Sequence, residues 1–96
     1  MTVTADERDH VLQSLDRDPG PALVLLADRL DQLHRGMAPR AQLTYRVAER
    51  SFTAGRHEIP ALALLFRSYG VAAEADVDAV ERARGLALTG EVRPPA

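Results

Sequence analysis

"LTYRVAERSFTAGR", residues 43–56, sets three arginines, a tyrosine and a phenylalanine around a run that ends in a Gly-Arg pair. On a helical period of about 100° per residue, Leu43, Thr44, Val47, Ala48 and Ser51 fall on one side, and Gln42, Tyr45, Arg46, Glu49 and Arg50 on the other. One side packs, and the other presents long hydrogen-bonding side chains. Pro39 is tolerated at a first helical position and opens this helix, expected over residues 39–52; Gly55 closes the region.

The flanking sequence reads as helix as well. Thr4-Ala-Asp-Glu7 has the spacing of a capping box ahead of Val11, Leu12 and Leu15, which predicts a helix over residues 5–16. "DRDPGP" (16–21) breaks the chain. Leu23, Leu26, Ala27, Leu30 and Leu33 then recur at i, i+3, i+4, i+7 and i+10, one apolar stripe of a helix over 21–35 that ends at Gly36. Pro60 starts a helix over 60–69 whose apolar face holds Ala61, Leu62, Leu65, Phe66 and Tyr69, with Gly70 as its left-handed cap. Val77, Val80, Ala83 and Ala87 place a last helix over 74–88, and Glu74, Asp76 and Asp78 sit in its first turn, where the dipole favours acids. Residues 91–96 lack a pattern and are expected as a flexible tail. No sustained period-two alternation is read, so the expected fold is all-α: one domain over 1–90, a compact bundle of four or five short helices, helix-turn-helix-like.

Composition points the same way. In 96 residues, hydrophobic side chains make up 46% but aromatics only 4%, so a core of Leu, Val and Ala is expected, which suits packed helices. The absence of cysteine removes disulfides and thiolate metal sites and fits a reducing compartment. "MTVTADERDH" lacks the cationic and apolar regions of a secretory signal, and "PALVLLA" (21–27) is far shorter than the ~20 apolar residues that span a bilayer. The reading is a cytoplasmic protein without a membrane partner.

The net charge of −2 is unevenly spread. Residues 1–33 hold seven acids and three arginines, residues 34–70 six arginines and two acids, and residues 71–96 five acids and three arginines. The middle third is therefore the basic one, which matters more to an anionic partner than the total.

"LADRLDQLHR" (26–35), "LTYRVAER" (43–50) and "TAGRHEIPALALLFRSYGV" (53–71) follow one another as a helix, a second helix and a Gly-Arg, Pro, Leu-Leu, Tyr-Gly-Val closing half. This succession, from Leu30 to about Leu88, resembles the Cro/λ-repressor-like (Xre-type) helix-turn-helix domains. The resemblance implies a helical fold and DNA binding. It departs from the family where a turn and a whole recognition helix belong, since only "SFT" (51–53) separates "LTYRVAER" from "AGR". The recognition segment is shortened or degenerate.

The candidate DNA-binding residues are Arg40, Gln42, Tyr45, Arg46, Arg50 and Arg56. Arginine donates two parallel hydrogen bonds to phosphate or guanine, and glutamine pairs with adenine edges. Arg46 and Arg50 are the main contacts, Arg40 and Arg56 backbone contacts, Gln42 and Tyr45 base contacts. Glu49 on the same face opposes phosphate unless it pairs with an arginine. His10, His34 and His57 lie 24 and 23 residues apart, a spacing that supplies no metal site. No phosphate-binding glycine loop, nucleophile elbow or HExxH occurs, so neither an enzyme nor a cofactor is expected. The leading expectation is a DNA-binding transcriptional regulator acting as a homodimer, because one short helix buries too little for specificity. The alternative is a helical protein-protein interaction module, or an antitoxin-like adaptor, on a degenerate helix-turn-helix scaffold.

Overall fold

Residues 42–55 form a β-hairpin and not a helix. In the computed structural model, which describes residues 5–72 and 77–94, β1 (Gln42–Val47) pairs antiparallel with β2 (Arg50–Gly55), Tyr45 opposite Phe52 and Val47 opposite Arg50. The reason lies in the rings. A helix over 39–52 turns Tyr45 and Phe52 about 180° away from Leu43 and Val47, so it buries one pair or the other. Strand alternation brings Leu43, Tyr45 and Val47 to one face together with Phe52 and Ala54, and Leu43, Tyr45 and Ala54 are buried there. β-branched and aromatic residues at Thr44, Tyr45, Val47, Phe52 and Thr53 favour the same choice. The two-residue turn needs a left-handed position, and Ala48 takes it at φ 54°.

The all-α expectation is corrected accordingly: the described residues form four helices and a three-stranded antiparallel sheet. A second correction concerns the tail. Glu91–Arg93 is β3, paired with β1 through Gln42–Arg93, Leu43–Val92 and Thr44–Glu91, so the strand order is β2-β1-β3.

The helices α1 (Ala5–Arg17), α2 (Pro19–Gly36), α3 (Ile59–Ala72) and α4 (Val77–Thr89) share one core with Leu43, Tyr45 and Ala54 of this sheet. Thr4, Glu74 and Asp76, read above as helix-start residues, lie outside the described residues. α2 is central: Leu23, Leu26, Ala27 and Leu30 are fully buried, α1 adds Val11 and Leu15, and α3 adds Ile59, Ala63 and Phe66. Gly70 is a helical residue inside α3 rather than a cap. Its missing side chain lets the helix approach α2, since a Cβ there would stand 2.6 Å from the Gly20 carbonyl oxygen. Gly85 does the same for α4 against β1, where a Cβ would collide with the Arg46 carbonyl oxygen. Arg84 reaches Asp16 at 2.7 Å and Arg29 reaches Glu7 at 2.9 Å, tying α4 and α2 to α1. No helix among the described residues is long and apolar enough to cross a membrane.

Candidate functional site

The inner face of the hairpin is built around two rings. Tyr45 and Phe52 sit opposite each other in the register and stack with centroids 5.3 Å apart and planes 14° from parallel. Arg82 of α4 places its guanidinium 4.9 Å from the Phe52 centroid, and Arg50, on the same strand face as Phe52, lies at 5.8 Å. Burial pushes the Tyr45 hydroxyl above its ordinary value of 10.0, with the positive charge of Arg82 pulling the other way. Tyr45 is therefore neutral at physiological pH.

Beside these rings runs a groove of about 450 Å³ between β2 and α3. Leu62 and Leu65 of α3 form its apolar wall, and Arg82 and Glu58 also line it. Phe52, Thr53 and Ala54 all border the groove. Because alternate residues of a strand face opposite ways, three consecutive lining residues mean that the groove reaches the backbone edge of β2.

That edge is open. The Arg46 N–H points away from β2 and donates to Thr89 Oγ1 at 2.8 Å. Antiparallel alternation then directs the N–H and C=O of its partner Ser51, and those of Thr53 and Gly55, to the far side of β2. β2 is an edge strand, and among the described residues no other strand pairs along that side.

No protein-family model matches this chain, and no curated protein or solved structure matches it either.

The six residues singled out in the sequence do not form one surface. Arg40 is exposed in the turn before β1. Gln42 and Arg46 are exposed on the outer sheet face, in register with Gly55 and Ser51. Arg50 is exposed on the groove side. Tyr45 is buried, and Arg56 is half-buried with its Nε donating to the Met37 carbonyl at 3.0 Å, so neither is displayed to a duplex. The acids Asp28 and Asp31 are held by Arg67 of α3, at 2.7 and 2.8 Å, and not by the basic segment.

Sequence reasoning missed the residues that make the groove: Thr53, Leu62, Leu65 and Arg82. Leu62 and Leu65 were read as core, and nothing local connects Arg82 to a ring thirty positions earlier. Phe52, a ring in the 43–56 run that belongs to neither of the two helical faces named above, was the available signal. A second cavity of about 480 Å³ lies between the end of α2 and β3, bordered by Leu33, Met37, Ala41 and Val92 with Gln32 as its polar side chain. It lacks converging charged groups, and β3, the edge strand that borders it, is only three residues long, so recognition is better served by the groove beside β2.

Proposed function

We propose that this protein is a non-catalytic protein-interaction module that takes an extended segment of its partner as a fourth strand on β2, in the groove between β2 and α3. The observation that carries this reading is the open edge of β2. An edge strand presents unpaired N–H and C=O groups, which natural proteins either cover, twist away or use. Strand addition uses them: main-chain hydrogen bonds give affinity, and pockets for alternate side chains give specificity. Here the edge is bordered by an apolar wall from Leu62 and Leu65, so an added strand finds both.

The test is a proline at Thr53. Its N–H points outward, so Thr53→Pro removes a docking donor without removing a bond to β1, the one placement in a strand that proline tolerates. Labelled protein titrated with an octapeptide array should show amide chemical-shift changes at Ser51, Thr53 and Gly55. The same titration of folded Thr53→Pro should show none. Shifts confined to the outer sheet face, or unaffected by the proline, would remove this reading.

A second reading rests on that outer face. Alternation sends Gln42, Thr44, Arg46, Ser51 and Thr53 to the face opposite the rings, joined by Arg93 from β3, and two-stranded antiparallel ribbons can read a major groove. This keeps a DNA-binding function without a recognition helix. Glu91 on the same face and the net charge of −2 weigh against it. Anisotropy with random duplex DNA over a salt series decides: binding that falls with salt and is weakened by Arg46→Ala/Arg93→Ala supports the ribbon.

A further inference from the structure

The partner's chemistry follows from what surrounds the groove, granted the reading of β2 as a docking edge. In a fourth strand on β2, residues opposite Phe52 and Ala54 share the inner face, while residues opposite Ser51 and Thr53 point to the outer one. The inner face changes character along its length. Toward Ala54 it is apolar, with Leu62 and Ala61 beside it. Toward Arg50 it is cationic, because the guanidinium groups of Arg50 and Arg82 lie within 5.8 Å of the same Phe52 ring.

Two like charges on one ring repel each other and leave part of their hydrogen-bonding capacity open to a carboxylate, the acceptor that a guanidinium fork fits best. Two acids border the same region. Asp78 stands one turn before Arg82 in the adjoining hollow, which also holds Tyr69, and Glu58 lines the groove and is reached by His57 at 3.5 Å. Arg84, the other arginine of α4, is taken by Asp16 at 2.7 Å.

We infer that the docked segment carries a glutamate or aspartate two residues from a branched or aromatic apolar residue, the carboxylate on Arg50 and Arg82 and the apolar side chain against Leu62 and Leu65. The two side chains stand about 7 Å apart on one face of a strand, the i, i+2 spacing that also relates Phe52, under the two guanidinium groups, to Ala54. A second copy of this chain is a poorer occupant. Its own β2, "RSFTAG", offers an arginine and no acid to the cationic end.

The experiment uses fluorescein-labelled octapeptides of threonine with leucine or phenylalanine at one central position. Glutamate, glutamine or lysine stands two residues before or after it, so that both strand directions are sampled. Anisotropy is read against the full chain at low salt. The expected result is that a glutamate peptide binds about tenfold tighter than its glutamine counterpart and that lysine abolishes binding. Arg50→Gln/Arg82→Gln should bring glutamate and glutamine peptides to equal affinity, while Thr53→Pro loses all of them. Equal binding of glutamate and glutamine peptides by the unaltered protein, with Thr53→Pro still inactive, overturns the acidic assignment and leaves strand docking standing. Failure of every peptide overturns both. A chain that sediments as a dimer and becomes monomeric with Thr53→Pro assigns the edge to a second copy and overturns the inference too.

Discussion

The two outer edges of the β1-β2 hairpin are treated differently by the same short chain. Along the outer side of β1, β3 pairs with Gln42, Leu43 and Thr44; where β3 stops, Thr89 takes over, accepting the Arg46 N–H at 2.8 Å and donating to the Gly85 carbonyl at 2.7 Å. Gly85 brings α4 onto the Arg46 carbonyl itself. Along the outer side of β2 lie the outward groups of Ser51, Thr53 and Gly55 beside the groove and the Phe52 ring. Closing an edge takes residues matched to it one by one, and β1 shows that this chain supplies them. β2 keeps six residues of unpaired edge beside a groove, whereas the sheet's other edge strand, β3, has three, and that difference is why the groove beside β2 is the candidate site.

The sharpest way to break the contrast is to disturb the closed edge. Gly85→Val places a branched side chain against the Arg46 carbonyl and forces α4 off β1, a loss of about 3 kcal/mol in urea unfolding. Next in size is a matched pair. Thr89→Val strands the Arg46 N–H and should cost about 1–2 kcal/mol, whereas Thr53→Pro on the open edge should cost less than about 1 kcal/mol. Equal losses for the pair would mean that β2's edge is as tightly used as β1's.

Ala48→Gly tests the hairpin that creates both edges. Relief of the left-handed alanine should stabilise the protein by about 1 kcal/mol, read as a raised Tm; a loss would show the turn to be unstrained. The smallest effect is in the pH dependence. Tyr45 has a raised pKa in the folded state, so its fold favours the neutral phenol: stability is unaffected by this group below its ordinary value of 10.0 and falls as pH climbs above it toward the folded pKa. Tyr45→Phe should flatten that alkaline fall relative to the unaltered protein in thermal melts from pH 9 upward.

Much of the helical framework was legible, because its signals are local. The Leu23 to Leu33 spacing is the stripe that α2 buries, and Pro60 with the apolar positions after it marks the run that becomes α3. Helical spacing misled at residues 42–55 for a physical reason: Leu43, Val47 and Ser51 satisfy a helix template, while Leu43, Tyr45 and Val47 satisfy a strand template. Over so short a run, the period alone does not discriminate. The candidate DNA contacts inherited that choice, and once the segment is a hairpin, neighbours such as Tyr45 and Arg46 point to opposite faces.

The sequence by itself determined the helix stripes, the breaks at Pro and Gly, the acidic ends and basic middle of the chain, and the residue types available to a core. The tertiary structure alone decided that 42–55 is a hairpin, that 91–93 is its third strand and that β2 is left open. These outcomes depend on contacts across long stretches of chain: Thr44 meets Glu91 and Phe52 meets Arg82. Strand pairing and ring burial are non-local interactions whose free energy appears only when the distant partner is in place, and no local period records it.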